Sequence, residues 1–173
     1  MKLPVKKIAR ISIVAAAYAA LTMVLAPISY GNIQARLSEV LNILPFFFPE
    51  MTIALTVGCI IANTISMYGV IDVVFGSFAT LLSCMIMAHL GKISREKLWI
   101  KAIACLQPVI FNAILVGITI TLASASEGAF WIVFAVNALE IGIGEAAVMF
   151  CIGLPAMNYF PKTALFEKMK NDE

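Results

Sequence analysis

The sequence predicts an all-helical membrane protein, a bundle of six transmembrane helices with both termini in the cytoplasm. Three observations carry that expectation. Of the 173 residues, 62% are hydrophobic and 13% are charged, and the mean hydropathy is +0.99. A soluble domain carries roughly twice that charge and a smaller apolar share, so this chain lacks the polar surface that water demands. Six apolar runs follow one another between short polar or proline-bearing stretches, and the basic residues gather on one side of the membrane those runs imply. A span needs ~20 apolar residues, so six of them with short loops leave no room for a second, soluble domain.

The first run, 8–26, follows Lys2, Lys6, Lys7 and Arg10. That is the layout of a signal peptide, but its length and the spans behind it favour a retained first helix, which Pro27 is expected to end. A polar stretch leads into the second run, 37–48, which contains Pro45 and stops at Pro49-Glu50. It is short, so a tilted, broken or partly re-entrant helix is expected there. The third run, 51–66, closes at Met67-Tyr68-Gly69, and the fourth, 72–90, starts at Asp72, where a carboxylate suits the helix dipole. The fifth spans 99–123 and the sixth 129–154, with Pro155 and Pro161 expected to end it. Residues 1–157 then form one transmembrane domain and 158–173 a polar cytoplasmic tail.

Charge placement tests the count, because cytoplasmic loops carry the excess Lys and Arg. Six spans with an inside N-terminus put Lys2, Lys6, Lys7 and Arg10, then Lys92, Arg95, Lys97 and Lys101, then Lys162, Lys168 and Lys170 inside, eleven of the twelve basic residues. Only Arg36 falls outside; five spans would strand one terminal cluster on the wrong face. No internal repeat is apparent, which disfavours an inverted-repeat transporter.

Several chemistries are excluded. The one Gly-Lys pair, Gly91-Lys92, is followed by Ile93 and lacks the upstream glycine of a phosphate-cradling loop, so the chain is not its own ATPase. His89 is the single histidine and reads as a helix-end residue; no histidine zinc site or Ser-His-Asp set is possible. With only Asp72 and Asp172, paired-aspartate proteolysis is ruled out. Cys59, Cys84, Cys105 and Cys151 are far apart in apolar runs and read as reduced core residues. No metal and no cofactor is expected, and a net charge of +2 is too small to argue for nucleic acid.

Ionisable groups at membrane depth are costly and are functional candidates by default. They are Glu140 and Glu145 in the sixth span, with Arg36, Glu39 and Asp72 towards the outer surface. Asn63, Asn112 and Asn137 add amides that must find partners in an apolar setting. Asn137 and Glu140 are three apart and neighbour each other on one helix, whereas Glu145 lies about 140° round from Glu140 and need not share its site. A structural reading stands beside the functional one: Arg36 and Glu39 as a local ion pair, and the asparagines as staples between helices. In the first span, Ala15 with Ala19 and Ala16 with Ala20 form two small-xxx-small pairs, a flat face suited to close helix packing against a partner or against the protein's own helices.

Specific stretches then carry a resemblance. They are Ala15-Ala16-Ala17-Tyr18-Ala19-Ala20-Leu21-Thr22, and Ala26-Pro27-Ile28-Ser29-Tyr30-Gly31 leading to Gln34-x-Arg36-x-Ser38-Glu39. Further on come Leu44-Pro45-Phe46-Phe47, Gly58 to Asn63, Asp72 to Ser77, Phe111-Asn112-Ala113 and Gly142 to Glu145. Over about residues 9–157 the chain resembles the substrate-binding (S) components of energy-coupling-factor (ECF) vitamin transporters, a class of ABC transporter, and among them the queuosine-precursor family, QueT. Glu140 has no confident counterpart in those motifs.

The resemblance implies an S-component bundle in the plasma membrane of a prokaryote, with an outward-facing pocket for a 7-deazaguanine such as preQ1, preQ0 or queuine. It also implies an alanine face (Ala15, Ala16, Ala19, Ala20) that docks on a transmembrane coupling protein, the T component, joined to two ATPases. On that reading Glu39, Asp72 and Glu140 or Glu145 accept the ligand's N–H edge or its cation, and Gln34, Arg36, Asn112 and Asn137 orient it. Tyr30, Phe75 or Trp131 would stack on the ring. The alternatives are an S component for another vitamin or a small membrane enzyme.

Overall fold

A computed structural model describes residues 5–29, 35–124 and 129–171, and among these it is all helix. Helix α1 is Val5–Val24, followed by a single turn, Ala26–Ser29. Pro27 therefore interrupts the helix without ending it: it removes one N–H, but Ser29 N still donates to Leu25 O at 2.8 Å. Helix α2 is a 3-10 stretch, Leu37–Ile43, that relaxes into an α turn at Leu44–Phe47 with Pro45 in its first turn, where the missing N–H costs nothing. Helix α3 is Met51–Asn63, α4 Gly69–Ile93, α5 Leu98–Ser124, α6 Phe130–Lys162 and α7 Ala164–Asn171.

Each of the six apolar runs falls on one of the helices α1 to α6. Four helices, α1, α4, α5 and α6, are long and apolar enough to cross a membrane, while α2 and α3 are shorter. By rise per residue α2 and α3 each reach ~20 Å, about 10 Å less than a hydrocarbon core. Pro155 does not stop α6, which runs on to Lys162. A π turn at Met149–Gly153 precedes Pro155 and loosens the ladder where the proline withholds its donor.

Neighbours in the bundle run α1, α3, α4, α5, α6, and α2 lies in the hollow they form, touching all five. Two glycines make this possible. A Cβ on Gly58 would sit 2.7 Å from Ala15 O and 3.0 Å from Tyr18 Cβ, so α1 and α3 meet at the closest approach that two backbones allow. On Gly91 it would overlap the Phe46 carbonyl, so α4 presses directly on the backbone of α2.

One end of the bundle holds the densest core. Phe47, Phe48, Phe160 and Phe166 pack with ring centroids 5.4–6.4 Å apart, over Met51, Met87, Met149 and Met157. Phe166 and Met169, three apart on α7, are buried in this cluster, so the expected polar tail is a short amphipathic helix that closes the bundle. The basic residues gather at this same end. Lys7 Nζ lies 3.4 Å from Glu50 Oε1, Arg95 donates to Phe47 O at 3.0 Å, and Lys101 Nζ donates to Asn158 Oδ1 at 2.6 Å. Those contacts bring together the start of α1, the α2–α3 turn, the α4–α5 loop and the end of α6.

Candidate functional site

Beyond the aromatic core, α2 turns polar. Leu37–Ile43 carries Ser38, Glu39 and Asn42 inward, all fully buried, and faces polar residues from every helix around it. Glu39 is the centre. Its carboxylate accepts from the Tyr18 hydroxyl of α1 and from the Asn42 amide one turn further along α2. Thr22, one turn beyond Tyr18, donates to Ser38 Oγ at 2.6 Å.

A second group adjoins it. Arg36 is 1% exposed; its guanidinium lies 3.6 Å from Asp72 Oδ2 at the start of α4, and its Nε donates to Ser29 O at 3.4 Å. Asn63, at the end of α3, donates to the Asp72 carbonyl at 3.1 Å, which links the α3–α4 connection to the site. Gly76 leaves the room for that amide, since a Cβ there would lie 2.6 Å from Asn63 Nδ2. From the far side α5 contributes Asn112 and α6 contributes Glu145, 2% and 1% exposed. Asn112 lies beside both the Glu39 and the Glu145 carboxyls, yet neither of its amide atoms makes a hydrogen bond of ordinary geometry.

The cluster is therefore polar, buried and incompletely paired. Asn112 Nδ2 and Oδ1, Glu145 Oε2, Asp72 Oδ1, Asn63 Oδ1 and Asn42 Oδ1 have no hydrogen-bond partner among the described residues. Each such group costs about 1–3 kcal/mol, and together they offer one set of acceptors and one amide donor to anything that enters. No group of three His, Cys, Asp or Glu side chains fit to hold a metal occurs among the described residues.

Of the residues singled out in the sequence, Arg36, Glu39, Asp72, Asn112 and Glu145 come together here. Arg36 reaches across to Asp72 on another helix, which the local pairing with Glu39 did not anticipate. Asn137 stands apart: its amide donates to Thr121 Oγ1 at 3.0 Å and staples α6 to α5. Glu140 is only half-buried, while Glu145, on a different face of α6, is the carboxylate turned inward. Gln34 and Tyr30 lie outside the described residues. Trp131 is 77% exposed and packs edge-on with Phe130 and Phe134 at the start of α6, away from the cluster, and Phe75 is half-buried.

Five members of the site were not named as binding residues from the sequence, Thr22 and Ser38 among them. Asn42 is one turn from Glu39, and Asn63 was noted only as a buried amide. Tyr18 sits inside the alanine stretch, and the stripe Ala15, Tyr18, Ala19, Thr22 at helical spacing was the signal for it. That stripe is the buried face of α1. The alanine pairs are thus split: Ala15 and Ala19 are buried within the protein itself, Ala15 against Gly58 of α3, and Ala16 and Ala20 remain exposed.

Apolar helices enclosing a buried, partly unpaired polar site define a helical membrane protein built around an internal polar centre. The chain belongs to the QueT transporter family, whose sequence model matches residues 8–162. It is 48% identical over 77 residues to "Queuosine precursor transporter QueT" of Lactococcus lactis subsp. cremoris (strain MG1363), a match that covers 43% of this chain and 45% of that relative. The aligned segment thus spans less than half the length of the relative. No solved structure matches the chain.

Proposed function

We propose that the chain is the substrate-binding component of an ECF-type importer, taking up a queuosine precursor. The observation that carries this is the buried cluster: acceptors at Glu145, Asp72 and Asn63, and an Asn112 amide set beside the Glu39 and Glu145 carboxyls without a hydrogen bond of ordinary geometry. A 7-deazaguanine presents N–H donors beside a carbonyl acceptor, the complement of a carboxylate next to an amide. Glu145 and Glu39 would accept from the guanine-like edge, Asn112 would donate to its carbonyl, and Asp72 beside Arg36 would meet a cationic aminomethyl substituent. Gln34 would complete the orienting set.

In this reading six helices cross the membrane with both termini in the cytoplasm of a prokaryote. Residues 1–157 form the transmembrane domain, and 158–173 lie on the cytoplasmic side. The basic, aromatic-cored end faces inward, and the short α2 and α3 stop below the outer surface, so the cluster at their ends is reached from outside. The family relation and the naming of the Lactococcus relative support the substrate class. The missing ATP-binding loop assigns energy to partners, a coupling protein with two ATPases. The mass of the small molecule that co-purifies with the detergent-extracted protein tests this directly. A 7-deazaguanine is expected; another vitamin would move the chain to a different substrate, and consistent emptiness with no binding on titration would count against transport.

The exposed half of the alanine face supplies the docking surface. Ala16→Trp and Ala20→Trp are expected to leave ligand affinity unchanged and to lower uptake by at least about tenfold, equivalent to ~1.4 kcal/mol of lost association. Ala15→Trp, set against Gly58 of α3, and Ala19→Trp, on the same buried face of α1, are expected to lose binding and uptake together because the bundle itself is disturbed. Uptake measured beside binding in the same four variants separates the two alanine pairs.

A further inference from the structure

The basic end of the bundle carries a cleft of about 390 Å³, remote from the polar cluster. Lys101 forms its floor, only 6% exposed, with Nζ donating to Asn158 Oδ1 at 2.6 Å. Arg95 and Lys162 stand at its rim. Arg95 donates to the Phe47 carbonyl at 3.0 Å, and Lys162 lies 5.6 Å over the ring of Tyr159. The hydrogen bonds of Lys101 and Arg95 go to neutral oxygens, and Glu96 is the carboxylate that the lining sets near Lys101. Three cations against one carboxylate leave the cleft positive, and a buried ammonium hydrogen-bonded to an amide oxygen favours an anion that reaches it.

The surroundings indicate which anion. Trp99, 59% exposed, lies on the first turn of α5 at the same end of the bundle, and Tyr159, 73% exposed, lies under Lys162 near the end of α6. Exposed Trp and Tyr beside apolar helix surface mark the headgroup level of a bilayer, where basic pockets between helices receive lipid headgroups. We propose that this cleft binds the phosphate of an anionic phospholipid headgroup, with Lys101 beneath it and Arg95 and Lys162 at its sides. The chemistry is that of a phosphate anion on three cations, and the aromatic flank selects a lipid as its source over free phosphate. The site is separate from the solute cluster and does not depend on which solute that cluster takes.

Native mass spectrometry of the full chain in detergent tests it, with phosphatidylglycerol and phosphatidylcholine of the same acyl chains and inorganic phosphate as probes. Phosphatidylglycerol is expected to be retained at least about fivefold over phosphatidylcholine, the preference that one or two well-placed cations give. That preference should fall at least about threefold in Lys162→Gln and in Arg95→Gln, both exposed positions, and rise in Glu96→Gln. Lys97→Gln, exposed in the same loop but outside the lining, should leave it unchanged. Equal retention of the two lipids, or a loss in Lys97→Gln as large as in Lys162→Gln, would overturn the proposal. So would displacement of phosphatidylglycerol by millimolar phosphate, which would assign the cleft to the free anion.

Discussion

Asp72→Ala is expected to be the most destabilising single change at the polar cluster. Asp72 is fully buried, and its Oδ2 lies 3.6 Å from the guanidinium of Arg36, itself 1% exposed. Removing the acid takes from that buried guanidinium the carboxylate with the largest charge effect on it. Breaking one side of a buried ion pair costs about 3–5 kcal/mol, while replacing both partners costs far less. Against a total stability of roughly 5–15 kcal/mol, the single variant should lose much of its fold. Asp72→Asn should fall between, since it keeps the shape and loses the charge. The double variant Arg36→Gln/Asp72→Asn is expected to be more stable than Arg36→Gln or Asp72→Asn alone, and thermal unfolding of these three beside the unaltered protein and Asp72→Ala in detergent gives the comparison. Additive losses would show that the two side chains act independently.

Asn112→Ala is expected to behave in the opposite way. Asn112 is 2% exposed and sits beside the Glu39 and Glu145 carboxyls, yet neither amide atom makes a hydrogen bond of ordinary geometry, so the fold is expected to lose less than in Asp72→Ala. A ligand that uses the amide loses one or two hydrogen bonds, about 1.5–3 kcal/mol when one partner is charged, or roughly ten- to a hundredfold in affinity. Glu145→Gln extends the test: it keeps the side chain's volume and replaces one carboxyl oxygen by an amide donor. Stability retained with affinity lost would mark both residues as binding groups. The reverse pattern would mark them as parts of the core. Unfolding temperature and ligand titration on the same preparations distinguish the two outcomes.

These two residues also show what could be read in advance. Arg36, Glu39, Asp72 and Glu145 stood out because charges are scarce in the apolar runs, and membrane depth makes every ionisable group expensive. The angular offset between Glu140 and Glu145 showed that the two need not share a site, but not which of them faces inward. Pairing was beyond a linear reading. Arg36 lies near Glu39 in sequence, yet it reaches Asp72 because it stands just before the first turn of α2 in an extended conformation, which carries its side chain towards the start of α4. Asn137 looked equivalent to Asn112, but it lies nearer the start of α6, opposite Thr121, where it finds a local acceptor.

At the level of the fold, the six helical segments and the basic end followed from hydropathy and the placement of Lys and Arg. The central position of α2 did not, because a short apolar run with a proline reads equally as a loose or a buried element. Phe166 and Met169 were hidden by the charges around them on α7, although their spacing places them on one face.

The central claim is that the buried cluster around Glu39, Asn112 and Glu145 holds a 7-deazaguanine. Titration of the purified, ligand-stripped protein with 7-aminomethyl-7-deazaguanine, beside Asn112→Ala and Glu145→Gln, tests it most directly. Saturable binding by the unaltered protein, weakened at least about tenfold in both variants while their unfolding temperatures hold, is the predicted result. Absence of binding by the unaltered protein, or equal affinity in all three, would contradict it.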